Sequence, residues 1–231
     1  MLVIKAQIFE QFPEISFGFN TKTGLDRKEP FFFNVSLSVG DDKKNVEENR
    51  AGFFQSLGLS ENNVALQKQV HGDVIRYVKK GGLSGESDAM ITDKKGIGLA
   101  VSTADCTPIF IYDRKNKTIA GIHSGWRSTE QKIVQKTLEK LVNDFKSRAE
   151  DLFVYMGPSI SQINYEVGED VAIKFDQKYL VKKGDKFLLN VAQNNYDMLI
   201  DFGIPISNIQ KSNLCTYEVQ DLIHSYRRHG M

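Results

Sequence analysis

Among the residues able to bind metal or act as nucleophiles, the chain has four histidines, His71, His123, His224 and His229, and two cysteines, Cys106 and Cys215. Three of them share a setting: His71 in 68-KQVHGD-73, Cys106 in 103-TADCTP-108 and His123 in 121-GIHSGWR-127 each end an apolar run, with a Gly or Pro within two residues. Their separations match no zinc-finger or helical His-Glu-x-x-His pattern, so residue type rather than spacing carries the argument. A His, Cys, His set supplies three ligands that zinc prefers and leaves a fourth tetrahedral position for water, as in catalytic rather than structural sites. Water in that position ionises at about pH 7. Copper suits the same donors and stands above zinc in divalent-metal affinity.

Two other readings of these residues stay open. Cys106 could pair with His71 or His123 as nucleophile and base, as in thiol hydrolases. Alternatively, the histidines are hydrogen-bonded strand ends and the cysteine a small buried hydrophobe. Asp105 weakens this last reading, because an acidic neighbour opposes thiolate formation unless a cation or metal compensates. His224 and His229 lie in 223-IHSYRRHGM-231, which reads as charged surface or a fraying tail. Cys215 ends a strand-like run and reads as packing.

The elements that position these residues follow from periodicity. Strands are predicted at 2–9, 31–39, 64–70, 74–78, 97–103, 108–113, 118–123, 152–157 and 208–215. A helix over 43–59 is capped by Asp41 or Asp42 and places Val46, Phe53, Phe54 and Leu57 on one face. A second, over 129–145, keeps Ile133, Val134, Thr137, Leu138, Leu141, Val142 and Phe145 in register, with Ser128 and Gln131 in the form of a capping box. Two more are predicted at 166–179 and 190–203. Strands alternate with amphipathic helices, yet some strands are joined by tight polar turns such as 113-DRKNK-117. The expected fold is therefore α/β, a single domain over 1–231 with mixed sheets and helices packed outside them.

Composition narrows the partners. The 231 residues are 41% apolar and 26% charged, with a formal charge of +1, so no excess field attracts nucleic acid or acidic lipid. The opening 1-MLVIKAQIFEQFPEI-15 lacks a signal-peptide cleavage site, and no run approaches the roughly 18 apolar residues of a membrane helix. The expectation is a cytoplasmic protein with reduced cysteines and a small-molecule ligand.

The segments 33-FNVSLSVGDD-42, 46-VEENR-50, 69-QVHGD-73, 88-DAMIT-92, 102-STADCTPIF-110, 120-AGIHSGWR-127, 157-GPSIS-161, 164-NYEVG-168, 215-CTYE-218 and 225-SYRR-228 resemble, in order, the hallmark blocks of the YfiH-like family. That family is also known as the multicopper polyphenol oxidase or laccase-domain family. The resemblance implies a single α/β domain with zinc on His71, Cys106 and His123, the same three residues serving catalysis. It implies phosphorolysis of adenosine, inosine, guanosine and methylthioadenosine, and hydrolytic deamination of adenosine. Some relatives are linked instead to peptidoglycan-precursor editing, and the older family name to copper-dependent oxidation of phenols. The last fits least, since four histidines cannot build a multicopper cluster.

Phosphorolysis needs an anion site near the ribose, for which Arg50 and Arg127 are the candidates, against a solvated helix face and a turn clamp respectively. Asn34, polar in an apolar run, is a candidate to reach the ligand, against a plain hydrogen-bonded asparagine. Two departures stand out. The usual H-A-G-W-R-G is His123-Ser124-Gly125-Trp126-Arg127-Ser128, a small-for-small exchange. The sequence also stops at 227-RRHGM-231, where relatives continue into a last strand; an edge exposed there would favour pairing, so a monomer or weak homo-oligomer is expected.

Overall fold

The runs 107–113 and 118–124 are apolar on both faces and separated by a polar turn. In the computed structural model, which describes residues 1–230, they form the antiparallel strands Thr107–Asp113 and Thr118–Ser124, paired along their whole length. Asp113 closes the turn by accepting the backbone N–H groups of Lys115 and Asn116 and the Asn116 side-chain amide. This hairpin is the middle of a six-stranded sheet in the order Ile209–Lys211, Leu152–Met156, Thr107–Asp113, Thr118–Ser124, Ala89–Thr92, Ile75–Tyr77. The inner pairings are antiparallel and the two outermost are parallel, which makes the sheet mixed, as expected.

Alternate side chains divide between two cores, as the strand period of two requires. Ile109, Ile111, Ile122, Leu152, Val154 and Met156 meet the helices Ile133–Phe145 and Val191–Asp201 through Leu138, Leu141 and Leu199. Tyr112, Phe153 and Tyr155 face the other way, onto Phe9, Phe12 and Phe17 of the N-terminal segment. Each such buried side chain contributes about 1.5–3 kcal/mol by leaving water. Smaller sheets flank this body: Gly82–Glu86 and Gly98–Leu99 pair in parallel with Val64–Lys68, Lys186–Leu189 lies between Glu166–Val167 and Leu180–Lys183, and Val3–Ile4 pairs with Phe19–Asn20.

Several local expectations are corrected. Residues 31–39 form turns rather than a strand: Phe32 has φ +50°, and the Asn34 side chain both accepts from Ser36 N–H and donates to the Ser36 carbonyl. The N-terminal strand is only Val3–Ile4 and gives way to the short helix Gln7–Glu10. Lys43–Ser56 is helical, with Asp42 accepting from Lys44 N–H at 2.7 Å and Gly58 stopping the chain at φ +75°. The helix predicted over 129–145 is two, Trp126–Glu130 and Ile133–Phe145, broken at Lys132 with φ +59°. Gly125 is the first N-cap, so the Ser128–Gln131 capping box does not form, and the buried Ser128 hydroxyl has no hydrogen-bond partner. The segment 166–179 is no continuous helix: it divides into the two-residue strand Glu166–Val167, the single helical turn Glu169–Ala172 and the 3-10 turn Gln177–Tyr179. The run 223–230 is no frayed tail: Ser225 is buried, and Arg228 donates to the carbonyls of Thr216, Tyr217 and Ile223. Met231, the last residue of that segment, lies outside the described residues. No described helix is long and apolar enough to cross a membrane.

Candidate metal centre

The three strand-end residues converge. One donor atom each from His71, Cys106 and His123 lie within 4.8 Å of one another. His123 ends the central strand Thr118–Ser124, Cys106 directly precedes its partner Thr107–Asp113, and register places Pro108 opposite His123. His71 comes from a separate turn, where it takes φ +57°. That turn is held by one buried carboxylate: Asp88 accepts the backbone N–H of His71 at 3.0 Å, of Gly72 at 2.7 Å and of Val70 at 3.2 Å. The same Asp88, fully buried, lies 2.8 Å from His123 Nδ1, and its carbonyl accepts His123 N–H at 2.7 Å. Engaging Nδ1 leaves Nε2 of His123 as the ligating nitrogen, the carboxylate–histidine arrangement common behind metal ligands.

Cys106 is aimed by its neighbour. Asp105 takes φ +87°, a conformation costly for a residue with a Cβ, and is fixed there by three contacts. Its carboxylate accepts the Thr216 hydroxyl at 2.6 Å and the Arg227 N–H at 2.6 Å, while its carbonyl accepts Ile160 N–H at 3.0 Å. Gly125 leaves the space the donors occupy: a Cβ there would stand 2.8 Å from Cys106 Sγ and 3.1 Å from His71 Cδ2.

Electrostatics agree with a ligand set. Burial opposes ionisation of Cys106, yet the two histidines outweigh it and bring the thiol down to about 7. Burial likewise disfavours charge on His123, but Asp88 and the Cys106 sulfur push its pKa up to about 9. Nitrogen, sulfur and nitrogen donors, a cradle open at Gly125 and the Asp88 carboxylate behind His123 together fit zinc, and by donor type also copper. His123 is buried, Cys106 partly exposed and His71 exposed, so the centre opens on the His71 side.

The other expected residues are placed differently. Arg127 is exposed, with its guanidinium 4.3 Å over the Trp126 ring, one turn from His123. Arg50 donates from Nε to the Val35 carbonyl at 2.7 Å, and Asn34 bonds Ser36 and Asp41 while its carbonyl takes the Asn49 amide. Arg50, on helix Lys43–Ser56, thus ties that helix to the loop that holds Asn34, and neither residue belongs to the three-residue cluster.

Sequence reasoning gave no site role to Asp88, Tyr165 or Arg227, and read Asp105 only as an acidic neighbour of the thiol. Tyr165 and Trp126 pack against the same small core around Val167, Val171 and Leu189, and the Arg227 guanidinium lies 5.1 Å over the Tyr165 ring. Burial, then the negative Cys106, pushes the Tyr165 hydroxyl up to about 12, with Asp105 adding to the shift and Arg227 and Arg127 opposing it. The available signal was an aspartate abutting the short, largely apolar run 89–92 in 88-DAMIT-92, where an uncompensated carboxylate would be costly.

The sequence pattern of the family described as multi-copper polyphenol oxidoreductase laccase matches residues 16–231. A Deinococcus radiodurans protein named purine nucleoside phosphorylase is 34% identical over 91% of this chain and 82% of its own length. Escherichia coli purine nucleoside phosphorylase YfiH is 32% identical over 84% of this chain and 80% of its own. Among solved structures, Bacillus licheniformis YfiH superposes with a TM-score of 0.87 at 27% identity, covering 91% of this chain and 86% of that one. YlmD of Geobacillus stearothermophilus gives 0.86 at 27% identity, with 91% and 85% covered. A match of this extent in sequence and fold makes the chain a member of the multi-copper polyphenol oxidoreductase laccase family, the family of the YfiH proteins.

Proposed function

We propose that this chain is a zinc-dependent purine nucleoside enzyme, catalysing phosphorolysis of adenosine, inosine, guanosine and methylthioadenosine and hydrolytic deamination of adenosine. The observation that carries the reading is the convergence of His71, Cys106 and His123 on one open point backed by Asp88, in a chain whose relatives are named purine nucleoside phosphorylase. His71, Cys106 and His123 hold the metal, which when bound supplies Lewis acidity at its open position. Asp88 fixes the His123 tautomer and the His71 turn, so both rings are set before substrate arrives. Cys106 sits where its sulfur can also take part in proton movement. Trp126 and Tyr165 offer aromatic surface beside the centre, suited to a flat purine, and the Tyr165 hydroxyl can donate to a ring nitrogen. Arg127, exposed and joined to no carboxylate among the described residues, is placed to meet phosphate, while Arg50 and Asn34 hold the loop ahead of helix Lys43–Ser56.

The donor supply disfavours multicopper oxidation. Among the described residues one cluster has metal-binding geometry, and it contains two of the four histidines. The test is metal analysis and product analysis on one preparation. Purified protein with about one zinc per chain, incubated with adenosine or inosine and phosphate, releases free base or, from adenosine, inosine; Cys106→Ala loses the metal and the products. Absence of product from metal-replete wild type would remove the reading.

A further inference from the structure

The C-terminal segment packs against the N-terminal one at a second collection of ionisable groups. Lys22 N–H donates to the Leu222 carbonyl at 2.9 Å and the Lys22 carbonyl accepts Phe33 N–H at 3.0 Å, which leaves Lys22 only 8% exposed. Its ammonium donates to the Gln220 carbonyl at 3.0 Å and lies 3.9 Å over the Phe32 ring. The His224 ring stands 6.5 Å from that same ring and 6.4 Å from the ring of His229, whose Nε2 accepts from Arg228 Nε at 3.4 Å. His224 Nε2 is buried with no hydrogen-bond partner.

No carboxylate of the described residues lies within ion-pair distance of Lys22, His224, Arg228 or His229. Asp221 and Glu29 act on Lys22, and Asp105 on His229, only from farther away. Positive groups gathered in a partly dry place without a counter-charge repel one another, and a buried nitrogen without a partner is left desolvated with nothing in return. One kind of ligand removes both penalties: an anion with several oxygens, able to meet an ammonium and two imidazoles set around rings more than 6 Å apart. Lys22 and Phe32 line a surface cavity of about 270 Å³, with Arg27 and Lys28 as well as Asp26 and Asp221 on its walls, and His229, outside that lining, is itself exposed.

We infer that Lys22, His224 and His229, with the Arg228 charge behind them, bind a tetrahedral oxyanion: orthophosphate or the phosphate group of a nucleotide. The site is distinct from the metal centre and shares no ligand with it. Asp105, which precedes Cys106 and accepts the Arg227 N–H, links the two. The inference does not rest on the nucleoside reading, and its test reads binding rather than turnover.

Inorganic phosphate and adenosine monophosphate are titrated in separate arms, each against chloride at matched ionic strength, into wild type, Lys22→Met and His224→Phe. Calorimetry is the readout, together with the histidine-ring resonances by NMR. Saturable binding in wild type, weakened about tenfold or more in both variants with metal content unchanged, is expected. The stronger arm identifies the source of the phosphate group. If Lys22→Met fails to fold, the wild-type His224 resonances decide: they shift with phosphate if the site is real. Binding no different from chloride, unmoved His224 resonances, or affinity indifferent to the substitutions overturns the inference.

Discussion

Two histidine pairs in this chain have similar geometry and opposite chemistry. The rings of His71 and His123 stand edge to face, 4.9 Å apart at 76°, and those of His224 and His229 are 6.4 Å apart at 66°. In the first pair His123 is pushed up to about 9, because Asp88 and the Cys106 sulfur outweigh burial. In the second His224 is brought down to about 4, by burial first and then by Lys22, His229 and Arg228. The imidazoles are the same; the difference is the company. A carboxylate and a thiol prepare one pair to exchange protons for a cation, and surrounding cations leave the other short of an anion.

The largest effect expected is at the donor that has no equivalent in the second pair. Cys106→Ser leaves two histidines, too few to keep zinc against dilution, so stoichiometric metal is lost on dialysis. A chelator then lowers the melting temperature of wild type and leaves that of Cys106→Ser unmoved; equal sensitivity in both would separate metal binding from this cluster.

Asp88→Asn comes next, because it converts the first pair towards the second by removing its negative partner. Zinc affinity is expected to fall by about 10–100-fold, the usual cost of losing a carboxylate behind a ligating histidine. Competition with a chromophoric chelator measures it, and an unchanged affinity would mean that the His123–Asp88 contact supports only the fold. A smaller loss is expected from Gly125→Ala, whose added Cβ must displace Cys106 Sγ or the His71 ring. Overpacking of this kind costs about 1–3 kcal/mol. Denaturant unfolding of the zinc-loaded and zinc-free forms tells whether the cost falls on the metal site: it does if the loaded form loses more.

The two pairs also differ in how far the sequence revealed them. His71, Cys106 and His123 stood out because each ends an apolar run at a turn; register brings Cys106 and His123 together, and Asp88 holds the His71 turn beside them. Asp88 was hidden because its role is long-range: three backbone N–H groups from residues 70–72 and a ring from residue 123 converge on it. The helices Lys43–Ser56, Ile133–Phe145 and Val191–Asp201 follow their periodicity, since a single packed face decides them. Residues 31–39 do not, because side-chain bonds from Asn34 offset the strand preference of the three phenylalanines. The segment 223–230 read as a tail from its charges alone. Its order comes from the carbonyls that Arg228 gathers and from Asp105, more than a hundred residues away.

The smallest effect tests the second pair alone. His224 holds its proton less tightly in the fold than in the unfolded chain, where its pKa is near the ordinary 6.5, against about 4 in the structure. Above the unfolded value both states are neutral at this ring and it confers no pH dependence. As pH falls from about 6.5 towards 4, the unfolded state takes up a proton that the folded state refuses, so stability is lost across that window and the loss levels off below it. Lys22, Arg228 and His229 resist the charge, while Asp105, acting through His229, opposes them weakly. His224→Phe abolishes the contribution, so its stability relative to wild type improves by about 1 kcal/mol between pH 7 and 4.5, allowing for the ring's partial exposure. Denaturant midpoints in phosphate-free buffer read the difference. Saturating phosphate should shrink it, because an anion at this site supplies the negative charge that Asp88 supplies to His123.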